Sequence, residues 1–227
     1  MIGIIGAMHE EIVELKGILK NIEEKEIAGM LFMKGKLNSK AVVLVESGIG
    51  KVNAAICTTI LINEFKSEKI IFTGVAGGVN PILNVGDIVI SKDLIQHDVD
   101  VTAFGCRHGE IPRMDNYIFE ADEILAEKAY NAAKYLFKDK NIVKGRVISG
   151  DQFVSSAEKT KWFQEIFNGD CVEMEGASVA HVCYLFKIPY IVIRSISDKA
   201  DHSAGVDFNT FKHEAARVSK EIVLNIV

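Results

Sequence analysis

The stretch Tyr190-Ile191-Val192-Ile193-Arg194-Ser195-Ile196-Ser197 decides the fold class. Its first half is apolar at successive positions, whereas a strand with one solvated face alternates apolar and polar residues. Continuous apolar runs are typical of strands covered on both faces, as in sheets with helices packed on each side. This segment therefore predicts a buried strand of an α/β fold.

Strand and helix patterns alternate outward from this segment through all 227 residues. Strands are predicted at 1–5, 31–36, 41–46, 69–73, 87–91, 143–149, 171–174 and 190–197. Helices are predicted at 10–20, 51–65, 121–137, 157–167, 176–186 and 208–226, with a less regular segment at 94–121. Because no Ser/Pro-rich linker interrupts the alternation, we expect residues 1–227 to form a single α/β domain, with a central mixed sheet flanked by helices.

The composition indicates a globular protein, since 48% of the residues are hydrophobic and 25% are charged. With 26 Lys and Arg against 31 Asp and Glu, the net charge is −5. A dedicated nucleic-acid binder would need a basic face to neutralise phosphates. No apolar run approaches the roughly 20 residues of a membrane helix, the first residues lack the features of a secretory signal, and the four cysteines show no CxxC pair. We expect a cytoplasmic protein with no nucleic-acid or membrane partner.

Three glycine- or acid-rich motifs invite a ligand-binding interpretation. Segment 47–51 (SGIGK) resembles a phosphate loop, but Val45 and Val52 stand where that loop needs glycine and Ser or Thr. Segment 97–100 (HDVD) lacks a third convergent ligand for a metal. We therefore expect no metal and no cofactor. The glycines of 74–78 predict a turn at a strand end, where a ligand can approach the backbone closely.

Three carboxylates stand at predicted strand-to-helix junctions: Glu11, Glu175 and Asp198. Any one of them could simply cap a helix N-terminus. One sheet could however bring all three to a common rim, beside Phe153 and the glycine turn. This combination favours a site for a flat, polar ligand.

Six motifs, in this order and spacing, carry a resemblance to a known family. They are GAMHEE at 6–11, SGIGKVNAA at 47–55, HDVDVTAFG at 97–105, SGD at 149–151, VEME at 172–175 and ISD at 196–198. Together they resemble the bacterial 5′-methylthioadenosine/S-adenosylhomocysteine nucleosidases of the purine nucleoside phosphorylase superfamily, over essentially the whole chain. The resemblance implies a nucleoside phosphorylase-like three-layer α/β/α fold and hydrolysis of the N-glycosidic bond of a nucleoside substrate. It also implies a homodimer without a cofactor.

The resemblance implies a role for each matching position. Asp198 would protonate the leaving adenine, Glu11 would polarise the attacking water, and Arg194 would help to order both water and carboxylate. The implied substrate-binding residues are Met8, Ala76, Gly77, Phe153, Val154, Met174, Glu175, Ser197 and Phe208. The residues implied to close the 5′ pocket from a second subunit are Val101, Phe104 and Pro112.

Acid and base must keep different protonation states to act together at neutral pH. We expect burial to raise the pKa of Asp198, while Glu11 stays mostly ionised. The chain departs from the family at Val75, where many relatives have serine, and at Gly176, where alanine is usual. These departures affect water placement and the start of a helix rather than the three carboxylates.

Three alternatives remain open at this point. A phosphate-dependent purine nucleoside phosphorylase would need fixed cationic donors, and the first hundred residues contain no arginine. A non-catalytic adenosine-binding protein would fit the same pocket without needing all three acids. An aminofutalosine nucleosidase would keep the chemistry and change the 5′ substituent, which an apolar pocket discriminates weakly.

Overall fold

Strands and helices alternate in the computed structural model, which describes residues 1–202 and 204–227 apart from the side chains of residues 212, 215 and 219. The strands are β1 (Ile2–Gly6), β2 (Lys20–Ile27), β3 (Met30–Leu37), β4 (Lys40–Glu46), β5 (Lys69–Gly78), β6 (Ile88–Gln96), β7 (Phe119–Glu120), β8 (Ile142–Ser149), β9 (Cys171–Glu173) and β10 (Tyr190–Asp198). The helices are α1 (His9–Ile18), α2 (Lys51–Asn63), α3 (Glu123–Leu136), α4 (Ala157–Phe167), α5 (Gly176–Phe186) and α6 (Ala204–Ile226).

The strands form one mixed ten-stranded sheet in the order β10-β6-β8-β9-β5-β1-β4-β3-β2, with β7 beside β6. Strand β10 also pairs with β5, in parallel. Since β10 bonds to both β5 and β6, the strands β5, β10, β6, β8 and β9 close into a ring. Closure leaves these strands without a free edge and concentrates their ends around one space.

Helices cover both faces of the sheet. Neighbouring residues of β1 point to opposite sides: Ile5 joins a core cluster with α2 and α5, and Ile4 joins one with α1, α3 and α6. Helix α4 packs a smaller cluster through Phe163 and Phe167. Every residue of β10 is buried. The predicted three-layer α/β fold with a mixed sheet is therefore confirmed.

The predicted turn at 74–78 is wrong, because these residues are the second half of β5. They continue to pair with β10 and meet β9 at Gly77 and Gly78. The glycines make room instead of turning the chain. A Cβ on Gly74 would lie 2.3 Å from Glu11 Oε1, and one on Gly77 would lie 2.9 Å from Asp198 Oδ1.

Strand β2 was not predicted, and the helix expected at 10–20 ends at Ile18. Nearly all of β2 is exposed, so its sequence, KNIEEKEI, lacks the apolar alternation that identifies a half-buried strand. A tight turn at Ala28 and Gly29, both with positive φ, joins it to β3. Turns of this hand match the twist of paired strands.

Other element boundaries also differ from the prediction. Strand β6 continues to Gln96, β7 lies inside the segment expected to be irregular, and α6 begins at Ala204, four residues before the predicted start. In the part of the chain that the structure describes, no helix is long and apolar enough to cross a membrane.

Candidate active site

A cavity of about 360 Å³ lies where β5, β9 and β10 meet. Ten residues singled out from the sequence line it: Met8, Glu11, Ala76, Gly77, Phe153, Met174, Glu175, Ser197, Asp198 and Phe208. The three carboxylates thus share one space. Their strands do not run in the same direction, however, because β9 is antiparallel to β5. Glu175 follows this antiparallel strand and still lines the same cavity as Glu11 and Asp198.

Five sequence-predicted residues lie outside this lining. Val154 is buried beside it, in a small adjoining hollow. Arg194 is 1% exposed and lies behind the cavity wall. Val101, Phe104 and Pro112 belong to the segment between β6 and β7 and do not line the cavity.

Five lining residues were not assigned a site role from the sequence: Ala7, Ile49, Val75, Val172 and Glu173. Ala7 and Val172 had no chemical signal, because an apolar residue beside a strand end is ordinary. Glu173 did have one, since two acids separated by a single residue stand at the end of a buried strand in 172–175.

The carboxylate of Glu11 is held by backbone amides. Its Oε2 accepts hydrogen bonds from the N–H groups of Ala7 at 2.6 Å and Met8 at 3.0 Å. Its Oε1 accepts one from the N–H of Val75 at 3.0 Å. The first two amides lie just before α1, so Glu11 does satisfy a helix start, as the capping interpretation suggested, while it also faces the cavity. Three fixed donors give this carboxylate a single orientation.

Asp198 stands at the end of β10, just after an irregularity in the pairing. The register between β10 and β5 shifts between Ile196 and Asp198. Such a bulge re-aims the side chain that follows it. The carboxylate then accepts hydrogen bonds from Ser197 Oγ and from the N–H of Ala200, both at 2.8 Å.

Burial raises the pKa of both Asp198 and Glu11. The raised pKa of Asp198 agrees with the expectation from the sequence. For Glu11, the charge of Arg194 and the three amide hydrogen bonds oppose the effect of burial without cancelling it. In the free site both carboxyl groups therefore hold protons more tightly than in water. Burial acts on both in the same direction, so it does not by itself produce the expected difference in protonation between Asp198 and Glu11.

Glu175 and Glu173 flank Met174 at the start of α5. Burial, followed by the nearby charge of Glu173, raises the pKa of Glu175 to about 8. Glu175 Oε1 accepts a hydrogen bond from the N–H of Gly50 at 2.8 Å. Glu173 instead turns inward, where Arg194 Nη2 donates to its Oε2 at 2.5 Å. Arg194, which the resemblance implied would help to order water and a carboxylate, has its charged group held against the Glu173 carboxylate.

Aromatic side chains close the cavity on one side. The rings of Phe153 and Phe208 meet edge to face, with centroids 5.8 Å apart. Phe153 lines the cavity and is more than half exposed, so part of its ring is accessible to a flat ligand. Among the described residues that line the cavity there are four carboxylates and no lysine or arginine.

Comparison with known proteins identifies the family. Residues 1–227 match the Phosphorylase superfamily. A 5′-methylthioadenosine/S-adenosylhomocysteine nucleosidase of Staphylococcus haemolyticus is 44% identical over 230 aligned positions, which cover 100% of this chain and 99% of the relative. The chain belongs to the 5′-methylthioadenosine/S-adenosylhomocysteine nucleosidase family.

Solved structures of this family and of a related hydrolase share the fold. The nucleosidase of Neisseria meningitidis, in complex with methylthio-immucillin-A, is 39% identical, with a TM-score of 0.95 over 99% of this chain and 97% of that one. A futalosine hydrolase of Helicobacter pylori is 38% identical, with a TM-score of 0.94 over 99% and 96% of the two chains.

The two departures from the nucleosidase family have clear positions. Val75 lines the cavity and contributes its backbone N–H to Glu11, so the contact to the carboxylate does not need a serine. Gly176 donates its N–H to both oxygens of Glu173. A Cβ there would lie 3.1 Å from Glu173 Oε2 and 3.0 Å from Leu94 Cδ2, so glycine leaves room for the Glu173 carboxylate.

The raised pKa of Glu175 predicts a pH-dependent cost to stability. Between pH 4.5 and about 8, the native protein keeps a proton that the unfolded chain releases, so native stability falls as pH rises through this window. Glu175→Gln removes this titration and keeps an oxygen acceptor for Gly50. We expect its melting temperature to exceed that of the wild type at pH 8.5, with the difference shrinking toward pH 4.5.

Differential scanning calorimetry across this range measures the effect. Glu165→Gln on the exposed surface of α4 is the matched control and should show no such trend. A Glu175→Gln difference that is constant with pH, or largest at low pH, would contradict the assignment.

Proposed function

We propose that this chain hydrolyses the N-glycosidic bond of 5′-methylthioadenosine and S-adenosylhomocysteine, and also of 5′-deoxyadenosine. The products are adenine and a 5-thioribose, or 5-deoxyribose in the last case. The observation that carries the proposal is the convergence of Glu11, Glu175 and Asp198 on one cavity with an open aromatic face. Membership of the nucleosidase family supports it over the full length of the chain.

Asp198 is proposed as the general acid. Adenine leaves poorly as an anion, so a proton delivered to its N7 as the C1′–N9 bond breaks lowers the barrier. Burial raises the pKa of Asp198 and so favours its protonated form more than water does. Ser197 and the Ala200 amide fix the carboxyl group in place.

Glu11 is proposed to polarise the attacking water and take up its proton as the oxygen bonds to C1′. Its three amide donors leave the carboxylate with one orientation toward the cavity. Arg194 acts from behind the wall, where its positive charge opposes the rise in the pKa of Glu11. It therefore helps Glu11 to become an anion when substrate and water arrive.

Glu175 is proposed to bind the ribose 2′- and 3′-hydroxyls. As the C1′–N9 bond breaks, the ribose gains oxocarbenium character, which favours loss of the Glu175 proton to solvent and lets the resulting carboxylate stabilise that positive charge. Phe153 is proposed to stack on adenine, with Ala76, Gly77 and the Val154 backbone around the base. The apolar side chains of Met8, Met174 and Phe208 are proposed to line the ribose and 5′ region.

The choice between water and phosphate as the attacking group is directly testable. Phosphate binding requires cationic donors, and the described lining of the cavity offers carboxylates instead. We expect the purified protein to release adenine from 5′-methylthioadenosine in phosphate-free buffer, at a rate that added phosphate leaves unchanged. Strict dependence on phosphate would establish a phosphorylase.

Replacing the proposed acid gives a sharper prediction. Asp198→Asn keeps the shape and hydrogen-bonding capacity of the side chain but cannot deliver a proton. We expect adenine release to fall by about 10²–10⁴-fold, measured by chromatography of single-turnover reactions. Asp139→Asn, at an exposed position after α3, should keep wild-type activity. A loss of less than tenfold for Asp198→Asn would remove Asp198 from the role of acid.

A futalosine-type hydrolase is the second candidate within the same chemistry. The overlay with the Helicobacter pylori enzyme favours it as an alternative, since the bond broken would be of the same kind. Comparison of kcat/KM for 5′-methylthioadenosine and aminofutalosine decides between them.

The proposed main activity would place the protein in methionine salvage and in recycling of S-adenosylmethionine by-products.

We also propose that the chain acts as a homodimer in the cytoplasm. Phe104 is 86% exposed in the single chain, and Val52 on α2 is 69% exposed, so apolar surface remains for a second subunit to cover. Val101, Phe104 and Pro112 of each subunit would complete the 5′ pocket of the other. Sedimentation velocity should give twice the mass of one chain, and a monomer at assay concentrations would refute the shared pocket.

A further inference from the structure

The N-terminus of α2 already holds two acidic side chains of the protein itself. The N–H of Gly50 donates to Glu175 Oε1 and the N–H of Lys51 to Asp151 Oδ1, each at 2.8 Å. Amides at a helix start favour negative charge in this position. The phosphate-loop-like segment 47–51 therefore presents its amides to carboxylates of its own chain.

The side chain of Lys51 completes a closed set of contacts, here named the Lys51 clasp and formed by Lys51, Asp98 and Asp151. Lys51 Nζ donates to Asp98 Oδ1 at 2.6 Å and to Gln96 Oε1 at 3.1 Å. Asp98 Oδ2 accepts from the N–H of Asp151 at 3.0 Å. Against the effect of burial, these contacts from Lys51 and Asp151 hold the pKa of Asp98 below its usual range, which favours the ionised form of the Asp98 carboxyl group.

The Lys51 clasp lies close in sequence or by hydrogen bond to three residues that line the cavity. Ile49 lies two residues before Lys51, and Phe153 lies two residues after Asp151. Glu175 is bonded through Gly50. None of the three clasp residues lines the cavity itself, so any effect they have on a bound nucleoside is indirect.

The clasp does not carry the attachment of α2 alone. Ser178 Oγ on α5 donates to the Lys51 carbonyl oxygen at 2.7 Å, and Ala54, Cys57 and Leu61 bury the helix in the core. Helix α2 would therefore stay in place without the ion pair. The ion pair between Lys51 and Asp98 instead fixes the orientation of the backbone amides in the first turn of α2.

We propose that Lys51 and Asp98 are positioning residues of the nucleosidase reaction. Their ion pair, with each side chain only 18% exposed, fixes the first turn of α2 so that Gly50 holds the Glu175 carboxylate where the ribose hydroxyls bind. This inference rests on the proposed function and extends it to Lys51 and Asp98, neither of which lines the cavity.

The test compares two substrates that differ at the hydroxyl Glu175 would hold. Adenine release is measured for 5′-methylthioadenosine and its 2′-deoxy analogue with the wild type, Lys51→Met and Asp98→Asn. Because a small misplacement of a binding group costs one to two orders of magnitude in rate, we expect kcat/KM to fall about tenfold on the ribose substrate and clearly less on the analogue. Lys25→Met, which breaks the exposed pair with Glu64, is the control and should change neither value.

Two variants keep the test informative if one of them folds poorly, and melting temperatures identify such a case. The double variant should lose no more than the worse single variant, because both act through one interaction. An equal fall on both substrates, or no fall, would overturn the positioning role. If the wild type released no adenine, the proposed function would fail separately, and the same substrate contrast would be read from calorimetric binding of the two nucleosides.

Discussion

The site depends on the attraction between the Arg194 guanidinium and the carboxyl groups around it. The guanidinium lies fully buried over the ring of Phe72, at 4.0 Å from the ring centroid, and its charge acts on Glu11, Glu173 and Glu175. Buried carboxylates without a cation would be strongly destabilising or would stay protonated. One central positive charge lets several acids share a small space, and it does so from behind the wall without occupying the ligand's place.

The backbone around that charge is as constrained as the charge itself. Strand β5 passes so close to Glu11 and Asp198 that Gly74 and Gly77 have no space for a Cβ. The same strand contributes the Val75 amide that orients Glu11. The cavity is thus bounded by bare backbone on one side and by aromatic rings on the other, a surface that suits a flat base.

Local pattern was enough to predict the layers of the fold and most of its elements. The buried run in β10 and the helix spacing of α2 and α5 depend on burial, and burial leaves a readable sequence pattern. Strand β2 and the true course of 74–78 were missed because their structure depends on partners far along the chain. An exposed edge strand has no apolar pattern, and glycine predicts a turn unless its close neighbours are known.

The residues of the site likewise fall into those that the sequence could predict and those that it could not. Residues such as Glu11, Glu175 and Asp198 could be proposed because acids at strand ends are conspicuous and match a family motif. Ala7 and Val172 contribute by position only, and the inward turn of Glu173 toward Arg194 follows from three-dimensional packing. Burial also raises the pKa of Glu11. The sequence did not predict this rise, because the desolvation of a side chain cannot be read from its neighbours in sequence.

The double pairing of β10 has a consequence for how the protein is made. Strand β5 ends at residue 78, but the strand that closes the ring begins at residue 190, so closure joins segments more than a hundred residues apart. Contacts of such long range are slow to form, since the intervening chain must be ordered first. During synthesis from the N-terminus, the half-site around Glu11 and β5 emerges long before Arg194 and Asp198. Glu11 is therefore made long before its counter-charge, Arg194, which is added when nearly the whole chain has been synthesised.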